Sequence, residues 1–156
     1  MTINSISLGC ICLAIFSALL LVNNPVIAAK DTTYRSPLQL PGAKMIDADE
    51  AWWMYEDGVK FIDVRNSRLF ARGHVPGAIH LDLKYAYSRQ ALEAVADRNE
   101  PVVIYTSNIK CPRAYHASRM ALEWGYKKVY YFRNGIVEWR RLGLPEGSLK
   151  PVEKRR

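Results

Sequence analysis

Residues 102–105 read Val-Val-Ile-Tyr, an apolar run with no polar residue on either face. A strand of this kind has to be covered on both sides, the condition of a central strand in a parallel sheet with helices above and below. The neighbouring segments fit that demand. Short apolar runs at 44–46, 59–64, 78–81 and 128–132 read as further strands. Between them, helices are expected over 47–56, 88–97, 112–124 and 136–142, with one helical turn at 67–72. Asp47 can cap the first helix with Glu50 three residues on, and Gly58 closes it. Pro112 suits the first turn of its helix and Gly125 follows its last turn, and Gly143 follows the last turn of the next helix. Strands alternating with helices give an α/β fold, a parallel β-sheet with helices on both faces.

In such sheets the functional loop lies beyond the carboxyl ends of the strands. The stretch after Tyr105 is therefore the first place to look. A loop follows that strand and a helix begins near Pro112, where unpaired backbone N–H groups favour an anion.

The amino-terminal residues are of another kind. Residues 1–29 carry no charged side chain, and 6–22 are almost entirely apolar. Asn23, Asn24 and Pro25 break any helix, and small residues through Ala28 and Ala29 precede Lys30. This is the layout of a secretory signal peptide without the usual basic start. The expected layout is a signal peptide over 1–29, a polar linker over 30–41, one domain over 42–147 and a basic tail over 148–156. Cleavage after Ala28 or Ala29 gives a periplasmic or secreted protein with no stable membrane span. The alternative is an uncleaved amino-terminal anchor, although the apolar run falls short of the roughly 20 residues of a full span.

Of three cysteines, Cys10 and Cys12 lie in the leader and depart with it if it is cleaved, which then leaves Cys111 as the one thiol of the mature chain. A lone thiol in an oxidising compartment is either reactive or intermolecular. The net charge of +7 favours anions over a range set by salt, but Lys and Arg are scattered and no base-stacking or groove-reading motif accompanies them, so nucleic acid is not expected. Three histidines without paired spacing and a single thiol give no zinc signature, and no metal or other cofactor is expected.

Two separated motifs resemble the rhodanese-like domain family. Residues 61–65, Phe-Ile-Asp-Val-Arg, and 70–78, Phe-Ala-Arg-Gly-His-Val-Pro-Gly-Ala, are similar to its first signature. Gly135-Ile136-Val137-Glu138-Trp139 followed by Gly143-Leu144-Pro145 is similar to its carboxyl-terminal one, with Asn134 where a first glycine is usual. The resemblance spans about 41–146. It implies scaffold roles for most of these residues: Gly73 and Gly77 in turns of positive φ, His74 packed near that turn, Asp63 and Arg65 bracing one another, Trp139 in the core.

The resemblance also implies a chemistry, and here the chain departs from it. An active member carries a cysteine directly after the central strand, takes up sulfane sulfur there as a persulfide and hands it to a nucleophile. In this chain Thr106 holds that place, and a hydroxyl without a base beside it is too weak an acid to act as the nucleophile. The loop Thr106, Ser107, Asn108, Ile109, Lys110, Cys111, Pro112, Arg113 resembles a longer variant with a second cysteine near the helix start, the position of Cys111. A thiol at a helix start between Lys110 and Arg113 lies among positive charges that suit an anion. Counting residues, five positions beyond Thr106, places its sulfur away from the point where the loop N–H groups converge. Two readings follow. In one, the protein is a sulfurtransferase using Cys111, with a sulfur donor or small anion held by Thr106, Ser107, Asn108, Ile109, Lys110 and Arg113. In the other, it is a catalytically inactive module that binds a protein partner or a small anion in the same loop. The cysteine-dependent phosphatases of this fold are not matched, because Thr106 and Arg113 fit neither residue nor spacing.

Overall fold

The run at 102–105 is the middle of the sheet. Strand β4 (Pro101–Tyr105) is flanked by β5 (Lys128–Phe132) and β2 (Lys60–Asp63), with β1 (Ala43–Ile46) and β3 (Ile79–His80) at the edges. The order is β1-β5-β4-β2-β3 and every pairing is parallel. The computed structural model describes residues 33–149, so the expected leader with Cys10 and Cys12, and residues 150–156 of the basic tail, lie outside the described residues. Among the described residues no helix is long and apolar enough to cross a membrane.

Five helices cover the sheet: α1 (Ala48–Glu56), α2 (Ser67–Arg72), α3 (Arg89–Glu93), α4 (Arg113–Glu123) and α5 (Gly135–Arg141). Alternation along the strands sorts the core into two layers. Phe61, Val103, Tyr105 and Phe132 face α1, α2 and α5, where they meet Ala51, Phe70, Ile136 and Trp139. Ile62, Val102, Ile104, Val129 and Tyr131 face α3 and α4, where they meet Leu92, Ala114, Ala117 and Ala121. Each fully buried Leu, Ile, Val or Phe contributes about 1.5–3 kcal/mol, so both layers are substantial.

The local signals are realised at the helix ends. Asp47 caps α1 through the Glu50 N–H at 2.9 Å while the Glu50 carboxylate accepts from the Asp47 N–H, the reciprocal pair that satisfies two free donors. Asn66 caps α2 and Ser88 caps α3. Helix α3 is shorter than the expected 88–97. Val95 and Ala96 both bond back to the Leu92 carbonyl, and Asp97 accepts from Asn99 and Glu100 in a turn that competes with further helix. Gly77 has the expected positive φ of 70°, whereas Gly73, at 165°, is extended, so the turn does not need glycine there for its backbone angle.

Past the end of β2 lies a buried ion pair. The Arg65 guanidinium meets Asp63 at 2.5 Å and reaches the Gly73 carbonyl at 2.8 Å, and both side chains are almost wholly buried. Burial opposes the charge on Arg65, but hydrogen bonding and attraction from Asp63 outweigh it and hold Arg65 above its ordinary range. Tyr105 packs under this pair and accepts from the Val75 N–H at 3.1 Å.

Arg65→Met is expected to destabilise the domain by roughly 3–5 kcal/mol, because it strands the Asp63 carboxylate in the core. Urea unfolding measures this, and a loss below about 1 kcal/mol would show that the pair is not a structural keystone.

Two buried phenols make the fold sensitive to alkali. Burial, reinforced by the negative charge of Asp63, holds Tyr105 well above the ordinary tyrosine value of 10.0. Burial, with a smaller influence from Tyr126, raises Tyr87, whose hydroxyl donates to the Ala117 carbonyl at 2.8 Å. Above that pH the unfolded chain loses protons the folded chain keeps, so stability present below pH 10 falls as the pH rises further. The urea midpoint should therefore be lower at pH 10.5 than at pH 8.5, and Tyr87→Phe should reduce the difference.

Candidate active site

The register brings the strand ends level. Asp63 pairs with Tyr105, Tyr105 with Phe132 and Phe132 with Ile46, so the residues that follow these strands line one edge of the sheet. Thr106 is the first residue past β4 and is 1% exposed.

The loop then turns back on itself. The Asn108 carbonyl accepts from the Cys111 N–H at 3.1 Å, and its side-chain oxygen accepts from the Lys110 N–H at 2.9 Å. This turn brings the half-buried Cys111 home: the Thr106 hydroxyl donates to Sγ at 3.2 Å. The sulfur thus lies beside Thr106, while the Lys110 and Cys111 N–H groups bond to Asn108. The thiol lies against the very side chain that stands in the nucleophile's usual place.

Two further elements hold the loop. The first turn of α5 grips it from one side, where the Ile136 and Val137 N–H groups donate to the Thr106 and Ser107 carbonyls at 3.0 and 3.1 Å. Gly135 permits this approach. Its φ is +59°, and a Cβ there would lie 2.1 Å from the Thr106 carbonyl oxygen. From the other side comes Ser36. Its N–H donates to the Ile109 carbonyl at 2.6 Å and its hydroxyl to the Cys111 carbonyl at 2.9 Å. Arg133, just past β5, donates from Nε to the Ser36 carbonyl at 2.8 Å.

The charges are arranged less simply than the sequence suggests. Lys110 is exposed beside the thiol in sequence. Arg113 leans toward the end of β2, with one guanidinium nitrogen 3.4 Å from the Asp82 carboxylate and 3.5 Å from the Val64 carbonyl. Its charge is therefore shared with Asp82. Pro112 supplies no side-chain cap to α4, which leaves the first-turn N–H groups of that helix without a side-chain acceptor. His74 bonds to the Phe70 carbonyl at 2.8 Å and His80 to the Arg65 carbonyl at 2.8 Å, with both rings stacked on Phe70, so these imidazoles serve the scaffold. Concavity alone would point elsewhere: a surface groove of about 380 Å³, lined by Trp53, Met54 and Tyr130 among others, lies by the start of β4 rather than its end.

Of the residues expected to form the site, Thr106 and Cys111 come together. Asn108 and Lys110 shape the turn, Ser107 and Ile109 contribute carbonyls to neighbouring elements, and Arg113 is drawn to Asp82. Ser36, Arg133 and Asp82 carry no motif and were not legible as part of it.

A thiol on a strand–loop–helix at the carboxyl edge of a parallel sheet defines a class, the α/β domains that work from one loop. The profile of the rhodanese-like domain matches residues 47–142, and the chain belongs to the rhodanese-like domain family. It is 30% identical over 102 residues to the thiosulfate sulfurtransferase GlpE of Haemophilus influenzae, covering 65% of this chain and 92% of that one. It is 35% identical over 94 residues to the HTH-type transcriptional regulator Rv0324 of Mycobacterium tuberculosis, covering 60% of this chain but only 40% of the regulator. The solution structure of the rhodanese-like domain of Alr3790 from Anabaena superposes with a TM-score of 0.60 at 18% identity, over 72% of this chain and 83% of that one, and supports the fold.

Gly135→Ala is expected to cost roughly 2–4 kcal/mol, from left-handed strain and from a methyl driven into the Thr106 carbonyl. Urea unfolding gives the stability, and amide exchange at Ile136 and Val137 reports whether α5 has released the loop. An alanine variant of native stability would remove the close approach as the reason for this glycine.

Proposed function

We propose that the protein is an exported sulfurtransferase that carries sulfane sulfur on Cys111. The observation that carries this reading is the contact between the Cys111 sulfur and the Thr106 hydroxyl at 3.2 Å, which puts a thiol beside the end of the central strand although the residue there is threonine. The family membership and the likeness to a thiosulfate sulfurtransferase support a sulfur donor as substrate. The apolar sequence of residues 1–29 supports export to a periplasmic or secreted location.

The chemistry is a pair of displacements. The Cys111 thiolate attacks the outer sulfur of thiosulfate, a bond forms between the two sulfurs, and sulfite leaves with the electron pair of the broken S–S bond. A nucleophile such as cyanide then attacks the outer sulfur of the persulfide, and thiocyanate departs as the thiolate is restored. Thr106 donates a hydrogen bond to the sulfur that bears negative charge before and after each turnover. The exposed Lys110 and the uncapped start of α4 supply positive charge near the loop for an anionic donor.

One observation favours the alternative, an inactive module that binds a small anion or a protein partner. The Lys110 and Cys111 N–H groups are spent on Asn108, and Arg113 is shared with Asp82, which leaves the loop fewer donors for a transferring anion.

Incubation of the mature domain with thiosulfate should add one sulfur, about 32 Da, by intact mass, from the atomic composition of a single persulfide. Cyanide should then remove it as thiocyanate. Cys111→Ser should abolish both signals, and Thr106→Val should slow loading on the order of tenfold, the loss of one charge-assisted hydrogen bond. No added sulfur in the unmodified protein would sink the enzyme reading and leave the binding module.

A further inference from the structure

The segment that precedes the family's shared region makes the closest contacts with the candidate site. Residues 33–41 read as linker from sequence, and the profile of the family begins only at residue 47. Yet Ser36 is 2% exposed and Leu40 6% exposed, while residues between them are open to solvent. The segment is thus pinned at two points. At the first, Ser36 ties its own segment to two pieces of chain far from it in sequence: the loop, through the Ile109 and Cys111 carbonyls, and Arg133 past β5, through its own carbonyl. The Cys111 carbonyl and its sulfur belong to one residue. A hydrogen bond to the first fixes the backbone from which the second reaches Thr106.

We propose that residues 33–40 are a strap belonging to the active site, and that Ser36 is the positioning residue that keeps the Cys111 sulfur against Thr106. The proposal rests on Cys111 as the sulfur carrier for its catalytic consequence. Its structural half stands on the three hydrogen bonds alone. Ser36 touches no reacting atom. It acts through the Cys111 backbone, and Arg133 acts through Ser36. Without the Ser36 hydroxyl the loop loses the external anchor that holds its turn at Asn108 closed, so the Cys111 N–H opens more often and the thiol swings away from the strand end.

The test uses the whole mature chain with Ser36→Ala, Ser36→Thr and Arg133→Met. Hydrogen exchange reads the loop, with the Cys111 amide as reporter and the amides of β4 and β5 as the control for folding. Ser36→Ala and Arg133→Met should each speed exchange at Cys111 about fivefold or more with the strand amides unchanged. Ser36→Thr, which keeps the hydroxyl, should restore the slower rate. Thiocyanate formation should lose kcat about tenfold in Ser36→Ala while KM for thiosulfate moves little, because the thiol and not the donor is displaced. Native exchange at Cys111 in both Ser36→Ala and Arg133→Met would overturn the strap. Should Ser36→Ala fail to fold, Arg133→Met decides the same point without altering the loop or the strap. If the unmodified chain takes up no sulfur, the sulfurtransferase reading fails by itself, and exchange at Cys111 with its rate of alkylation by iodoacetamide still decides whether Ser36 holds the thiol.

Discussion

The buried pair of Asp63 and Arg65 is the constraint on which the site end of the fold depends. Taking two charges out of water is costly, and the pair persists because each remaining demand is met: Arg65 also serves the Gly73 carbonyl, and Asp63 also accepts the Arg65 backbone N–H. The effect is topological. Asp63 ends β2, Gly73 opens the turn that leads to β3, and Tyr105, which ends β4, packs beneath the guanidinium and bonds to Val75 in that same turn. Strand, turn and central strand are thereby locked at one level. Thr106 begins from a fixed point because Tyr105 cannot move.

A level sheet edge alone would not place Cys111. The loop between Thr106 and α4 is long enough to wander, and it is held by three independent supports: its own turn at Asn108, the first turn of α5, and Ser36. Each uses backbone carbonyls as acceptors, which leaves side chains free to vary. Two of the supports, α5 and Ser36, come from residues distant in sequence, so the loop's conformation is in large part a tertiary property. This is how Cys111, five positions beyond Thr106, still ends beside the strand.

The sheet was legible because its evidence is local and repeated. An apolar run that needs cover on both faces, caps such as Asp47 with Glu50, and helix-ending glycines each act within a few residues, and they agree with one another. The motif around Asp63, Arg65 and His74 gave the scaffold roles for the same reason. The site was legible only in its residues. Thr106 and Cys111 could be named, but their contact could not be read, because the side chain of Asn108 gives no sign in sequence that it will fold the loop back. Ser36 was invisible for a different reason. A serine in a polar stretch looks like any other, and nothing short of the three-dimensional path shows that this one meets two carbonyls of a loop more than seventy residues away.

Under the proposed function, the threonine at the strand end has a consequence for how the thiol would be used. A cysteine placed directly after the strand takes its support from backbone N–H groups around it. Here two of those groups are committed to Asn108, and the donor nearest the sulfur is a hydroxyl. A hydroxyl can rotate, so it can follow a sulfur that changes from thiolate to persulfide, where a backbone N–H is fixed. The buried position of Thr106 keeps water from competing for the same bond. On the proposed reading, Thr106 is thus the side chain that supports the sulfur carried on Cys111.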